Sequence, residues 1–162
     1  MHVDLLAANQ HEAMADLLAD LHQHYNPGRS VARKAVLTHL LTNILAPDSM
    51  LRLVVASEDG ELLGFAAVYL VYSLVNPDPE QQRQCALKEL FVRPSKRSRG
   101  VGKALMAWVA CYAQENGCCR IDWSVKASNH RGISFYEGLG STLVDDRLSY
   151  RLGETGIAML AG

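Results

Sequence analysis

The spacing of apolar residues predicts most of the elements. A short apolar stretch at the start, HVDLLA, reads as a first strand. Asn9 with Glu12 three positions on then forms a capping-box-like start for a helix that carries Met14, Leu17, Leu18 and Leu21 on one face. That helix ends at Asn26-Pro27-Gly28. Ser30 is placed to cap a second helix, whose stripe of Val36, Leu37, Leu40, Leu41, Ile44 and Leu45 stops before Pro47. LRLVVAS and ELLGFAAVYLVYS, joined by Glu58-Asp59-Gly60, read as an antiparallel hairpin with a D-G turn. After the polar loop NPDPEQQRQ comes a buried strand, CALKELFV. Val101, Ala104, Leu105, Trp108 and Tyr112 then set a helical period that runs to Asn116-Gly117, a helix-ending pair. CRIDWSV reads as a strand, ISFYEGLG as a short helix, and STLVDD with RLSYRL as a closing pair of strands before a short tail. The predicted order is β-α-α-β-β-β-α-β-α-β-β.

Composition narrows what such a chain can do. With 162 residues, 49% hydrophobic and 20% charged, it is expected to form one domain with a substantial core over residues 1–162. Its net charge of -1 gives no overall basic field to hold nucleic acid or an anionic membrane. No apolar run approaches the roughly 18 residues of a membrane span, and MHVDLLAANQHE has no basic-then-apolar leader pattern, so the expected location is the cytoplasm. Cys85, Cys111, Cys118 and Cys119 show no C-x-x-C spacing and are read as reduced packing residues. His22, His24 and His39 have no ligand spacing, and no metal is expected.

Chemistry concentrates in Arg97-Ser98-Arg99-Gly100-Val101-Gly102-Lys103-Ala104, between a strand and a helix. A Walker P-loop fails here, because Arg97 stands where its first glycine belongs and Ala104 where Ser or Thr belongs. A dinucleotide fingerprint fails at Leu105, where its third glycine belongs. What remains is a basic turn with two glycines opening a helix, whose unpaired N–H groups and dipole suit an anion. Arg93, Lys96, Arg97, Arg99 and Lys103 bring five of the sixteen Lys and Arg residues together with no acid between them. Such a field suits a pyrophosphate, and a solvated turn between two elements is the other reading.

Arg97 to Gly102 resembles the Q/R-x-x-G-x-G/A signature of the GNAT N-acetyltransferase superfamily, and Glu89-Leu90-Phe91-Val92-Arg93-Pro94 is similar to the strand leading into it. Downstream, Asn129-His130-Arg131-Gly132-Ile133-Ser134-Phe135-Tyr136-Glu137-Gly138-Leu139-Gly140 resembles the family's N-x-x-[AG]-x-x-[FL]-Y-x-x-x-G motif. The resemblance is close over residues 87 to 140, and element order extends it to about residue 152. It implies an α/β GNAT fold: a mixed, mostly antiparallel sheet with a splayed parallel strand pair and helices on both faces. It also implies acetyl-CoA as co-substrate, with the pyrophosphate on Arg97, Ser98, Arg99, Gly100, Val101, Gly102, Lys103 and Ala104. Leu90, Phe91 and Val92 would meet the pantetheine arm as an added strand, and Asn129 would bond the arm, cap the last helix, or both.

Acetyl transfer to an amine sets two proton problems. An amine with a lysine-like pKa of about 10.4 is only about 4 parts in 10,000 neutral at pH 7, so a carboxylate or a desolvating pocket must help remove a proton. Glu89, on the strand before the turn, is the leading candidate; pairing with Lys88 or an arginine is its alternative role. The leaving thiolate needs a donor, and the resemblance carries the family's general-acid tyrosine onto Tyr136, which is otherwise a core residue beside Phe135. Lys88 stands where some polyamine-acetylating relatives carry an acid, which argues against a polyamine acceptor. Asp78 and Glu80 of the polar loop either attract a cationic amine or are simply solvated.

The expected function is direct acetyl transfer from acetyl-CoA to a primary amine, a small molecule before a protein, in a ternary complex. Two alternatives stand beside it: a non-catalytic CoA-binding regulatory module, and an acetyltransferase of protein N-termini or lysines. Neither nucleic acid nor membrane is an expected partner, and a homodimer is left open.

Overall fold

The computed structural model describes residues 1–162. They divide into two compact units, Met1–Ser124 and Val125–Gly162. In the first, β1 (His2–Leu5), α1 (His11–Tyr25) and α2 (Arg33–His39) precede the hairpin of β2 (Arg52–Glu58) and β3 (Glu61–Tyr72). Then come β4 (Arg83–Val92), α3 (Val101–Glu115) and β5 (Ile121–Asp122). The second unit holds α4 (His130–Glu137) and α5 (Glu154–Ala161).

The five strands form one sheet in the order β1-β2-β3-β4-β5, antiparallel except for the parallel pair β4 and β5. Asp59 and Gly60 both take positive φ, 51° and 82°, so the D-G turn has the backbone hand that two-residue hairpins favour. Alternation along the strands sends Leu53, Val55, Phe65 and Ala67 to one face, where Met14, Leu17 and Leu40 bury against them. Val54, Ala56, Ala66 and Val68 serve the opposite face. There Val101, Leu105, Met106, Val109 and Ala113 of α3 are buried, so helices cover both sides of the sheet.

Several local expectations are corrected. Asn9 caps nothing; the Gln10 side chain reaches back to the Ala7 N–H at 3.0 Å, and α1 starts at His11. The second helix begins after Ala32, not Ser30, and widens at Leu40–Ile44 into a π-helical turn closed by Leu45 N–H on the Leu40 carbonyl at 2.9 Å. CRIDWSV contributes only Ile121–Asp122 as strand, STLVDD and RLSYRL enter no ladder, and the expected tail is helix α5. Alternation alone does not make a strand: its backbone groups need a neighbouring ladder. Cys85 is buried, and burial pushes its thiol up to about 11, while Cys111 and Cys119 are exposed rather than packed. No helix is long and apolar enough to cross a membrane.

Gly64 on β3 faces Val92 on β4, and a Cβ built there lies 2.5 Å from the Phe91 carbonyl oxygen and 3.0 Å from the Val92 Cα. Both obstacles are backbone and cannot rotate away. Gly64→Ala is therefore expected to cost about 1–3 kcal/mol, with Tm falling by roughly 2–4 °C for each kcal/mol. Thermal denaturation checks this; an unchanged Tm would mean that the strands separate freely.

Candidate active site

β4 carries the first part of the site because its register slips. Val68 pairs with Leu87 but Ala67 pairs with Glu89, which leaves Lys88 as the extra residue of a bulge. One inserted residue reverses which face each later side chain serves. Cys85 and Leu87 are buried outside the α1 core, whereas Phe91 lies within it. Glu89 is thereby turned toward α1, where the Tyr25 hydroxyl donates to its two carboxylate oxygens, each at 3.2 Å. Sequence reading missed Tyr25, since a tyrosine ending an amphipathic helix carries no motif. Burial first, and then the Glu89 charge and hydrogen bond, raise its phenol above the ordinary tyrosine value, so Tyr25 stays a donor through neutral pH.

The backbone of β4 supplies a second feature. Arg93 N–H bonds the Leu63 carbonyl at 3.0 Å, which fixes the alternation: Phe91 and Glu89 direct their backbone groups at β3, and Leu90 and Val92 direct theirs the other way. On that other side the parallel ladder with β5 ends at Ala86 opposite Asp122, so no ladder partner lies beside Leu90 and Val92. The Val92 carbonyl accepts from Arg97 Nε at 2.9 Å, tying the strand to the turn.

The turn ends in glycine for a conformational reason. Ser98 has φ 61° and Gly100 φ 82°, and a Cβ on Gly100 would meet nothing within 4 Å. α3 then starts at Val101 with no side-chain cap, and its first helical bond in the turn is Ala104 N–H on the Gly100 carbonyl at 2.9 Å. The N–H groups of Val101, Gly102 and Lys103 thus precede the helical ladder and point out of its positive end.

The cationic field is weaker than the sequence implies. Arg93 pairs with Asp20 at 2.9 Å and Glu61 at 3.3 Å, Lys96 with Glu61 at 2.7 Å, and Arg99 with Glu58 at 3.4 Å. Lys96, hydrogen-bonded to Glu61, holds that carboxyl below its ordinary range. Three of the five cations are therefore already balanced by acids distant in sequence. In the polar loop, Asp78 Oδ1 accepts the Glu80 N–H at 3.0 Å and Asn76 bonds Gln81 at 2.9 Å, so the loop is built around its own turn.

The second unit carries the other two site residues. Asn129 caps α4, its Oδ1 accepting from Gly132 N–H at 3.0 Å, and a Cβ on Gly132 would sit 2.5 Å from Asn129 Nδ2. The small residue in the N-x-x-[AG] pattern is thus what this cap requires. Tyr136 lies on α4 with its ring edge-on to Phe135, centroids 5.2 Å apart. Its carbonyl accepts from the Ser141 hydroxyl at 2.8 Å. No group of three or more His, Cys, Asp or Glu residues is arranged so that it could hold a metal ion.

The chain is similar to an uncharacterized N-acetyltransferase of Bacillus subtilis (strain 168), 32% identical over 54% of this chain and 56% of that one. It thus spans little more than half the length of the curated relatives it matches first. Its fold superposes on an integron cassette protein from the mobile metagenome of V. cholerae with a TM-score of 0.90, at 24% identity, covering 99% and 96% of the two chains. It also superposes on AAC(6')-Iy in complex with the bisubstrate analog CoA-S-monomethyl-acetylneamine, with a TM-score of 0.71, 26% identity, and 94% and 99% coverage. The model of the acetyltransferase (GNAT) family matches residues 13–141, and the chain belongs to that family.

Proposed function

We propose that the chain works over residues 1–162 as a single domain, an N-acetyltransferase that passes the acetyl group of acetyl-CoA directly to a primary amine of a small molecule. The observation that carries this reading is the uncapped start of α3 beside the unpaired edge of β4. Val101, Gly102 and Lys103 offer N–H groups to a pyrophosphate, with Arg97, Ser98, Arg99, Gly100 and Ala104 shaping the turn. Leu90 and Val92, spaced by Phe91, offer backbone groups to the pantetheine amides, and Asn129 lends its amide from the start of α4. An acetyl thioester supplies the activated acyl group. Glu89, directed by Tyr25, takes the proton of the incoming ammonium, and Tyr136 protonates the sulfur as the C–N bond forms and the C–S bond breaks. The curated relatives include an aminoglycoside N(6')-acetyltransferase, which supports a small polar amine as acceptor. The same reading places the protein in the cytoplasm, acting without metal, nucleic acid or membrane, and leaves a homodimer open.

Titration calorimetry with acetyl-CoA, followed by thiol release across a panel of amines and peptides, tests the reading. Release with small amines is the expected result. Binding without release would favour a regulatory module, and release with peptides alone an acetyltransferase of proteins.

One substitution probes the anion site. Gly100 needs positive φ, so replacing it disturbs backbone and binding together. Gly102 lies within α3, where valine is a better helix former than glycine. Gly102→Val is expected to keep or slightly raise Tm while acetyl-CoA affinity falls by at least about tenfold, since about 1.4 kcal/mol is one lost charge-assisted contact. Unchanged affinity by calorimetry removes the pyrophosphate from this turn. Salt should weaken binding only modestly, because Arg93, Lys96 and Arg99 are already paired.

A further inference from the structure

The turn that opens α3 is built against its own backbone preference. Ser98 has φ 61° and Gly100 φ 82°, and a serine in that left-handed region persists only where its surroundings hold it. Two of the turn's backbone bonds are local: Lys96 N–H donates to the Arg93 carbonyl at 2.8 Å and Arg97 N–H to the Pro94 carbonyl at 3.4 Å. They shape the turn without fixing it to the sheet.

Glu61, the first residue of β3, reaches across to fix it. Its Oε1 meets Arg93 Nη1 at 3.3 Å and its Oε2 meets Lys96 Nζ at 2.7 Å, so one carboxylate holds both ends of the short helical turn Pro94–Lys96. Arg93 carries the tie on to α1 through Asp20 at 2.9 Å, and Arg99 is tied to Glu58, on the far side of the Asp59-Gly60 turn, at 3.4 Å. Isolated exposed pairs contribute little to stability. The Arg93 and Lys96 side chains, however, are only 21% and 22% exposed and share one carboxylate in a network, the arrangement in which such pairs do contribute. The hydrogen bond from Lys96 holds the Glu61 carboxyl below its ordinary range, so the tie stays charged at neutral pH.

We propose that Glu61 is a positioning residue for the cofactor: by clamping Arg93 and Lys96 it keeps the turn in the conformation that sets the N–H groups of Val101, Gly102 and Lys103 on the pyrophosphate. The inference rests on the acetyl-CoA reading above and adds to it a residue that acts through the turn. An acid beside an anion site is otherwise a liability, since its charge repels phosphate and balances two cations that could have attracted it. Its place there is accounted for if a turn already formed before binding favours the complex by more than the lost positive charge disfavours it. The two effects have opposite signs, so one measurement decides between them.

Glu61→Gln removes the charge while keeping the size of the side chain, at a position 46% exposed, so the fold is expected to be retained. Calorimetry with acetyl-CoA is expected to show Kd raised about fivefold, the change that follows if the binding conformation of the turn falls to about one fifth of the population. S-acetylpantetheine, which has the thioester and the pantetheine amides but no pyrophosphate, is expected to keep its kcat/KM. In the free chain, amide hydrogen exchange over residues 93–103 is expected to quicken while β2 exchanges as before. Tighter binding of acetyl-CoA would mean that Glu61 only masks cations, and unchanged affinity that it only stabilises the fold. An equal loss with S-acetylpantetheine would mean that it acts elsewhere in the site. Each of these results overturns the proposal. If the wild-type chain binds no acetyl-CoA, the acetyl-CoA reading fails instead, and exchange still decides the clamp: unchanged exchange overturns it. Should Glu61→Gln fail to fold, Lys96→Met removes the same contact from the other partner, and the same quickening of exchange is expected, its absence again overturning the clamp.

Discussion

Tyr136→Phe is expected to lower turnover about 10²- to 10⁴-fold while acetyl-CoA affinity changes little, the range typical of a lost general acid. Phenylalanine retains the ring that meets Phe135 and the carbonyl that holds Ser141, so α4 and the turn after it keep their shape. Only the hydroxyl is lost. If Tyr136 donates to the departing sulfur, kcat and kcat/KM for the amine fall together, because the interaction is made in the transition state and not in the ground state. A tyrosine that merely orients the thioester would show a rise in KM for acetyl-CoA with a smaller loss in kcat. Steady-state kinetics with the fastest amine of the panel, backed by calorimetry for acetyl-CoA, separates these outcomes. More than half the wild-type rate, with chemistry rate-limiting, would make Tyr136 a packing residue.

Glu89→Gln should reduce turnover at pH 7 by about 10²-fold and recover much of that loss by pH 9.5. Glutamine still offers Tyr25 an oxygen to bond, so the substitution removes the charge and the basicity while keeping the contact with α1. Between pH 7 and 9.5 the neutral fraction of an amine of pKa about 10.4 rises a few hundredfold, which replaces the work of the missing base. Tyr25 remains protonated over this window, because burial and then the Glu89 charge raise its phenol; the variant removes the charge but leaves the burial. A ratio of variant to wild-type activity that stays flat from pH 6.5 to 9.5 would assign the proton to another group.

The local elements and the order of the motifs could be read from the chain because their causes are local. Asp59-Gly60 turns the hairpin because glycine and aspartate tolerate positive φ, and the period of Leu105, Val109 and Ala113 puts one face of α3 in the core wherever the helix lies. The Gly100 turn and the Asn129 cap are equally local: each is a backbone requirement met within four residues. The contacts that qualify the site are not. Asp20, Glu58 and Glu61 balance Arg93, Lys96 and Arg99 across 32 or more positions, so a basic window in the sequence became a largely paired surface in the fold.

Glu89 shows the division most clearly. The sequence by itself determined that a carboxylate would stand on the strand before the glycine turn. Which face it would serve was decided by the bulge at Lys88, since alternation from Cys85 and Leu87 would have sent it to the side of α3. A bulge is a matter of register between β3 and β4, and register is set by the summed packing of both faces, which no single strand encodes. The same reasoning accounts for residues 141–152: period-two spacing made them fit to be strands, but a strand exists only where a neighbour accepts its hydrogen bonds, and the ladder within this chain stops at β5. Propensity is a property of the segment and pairing is a property of the assembled sheet, so the sequence fixes the first and the tertiary structure decides the second.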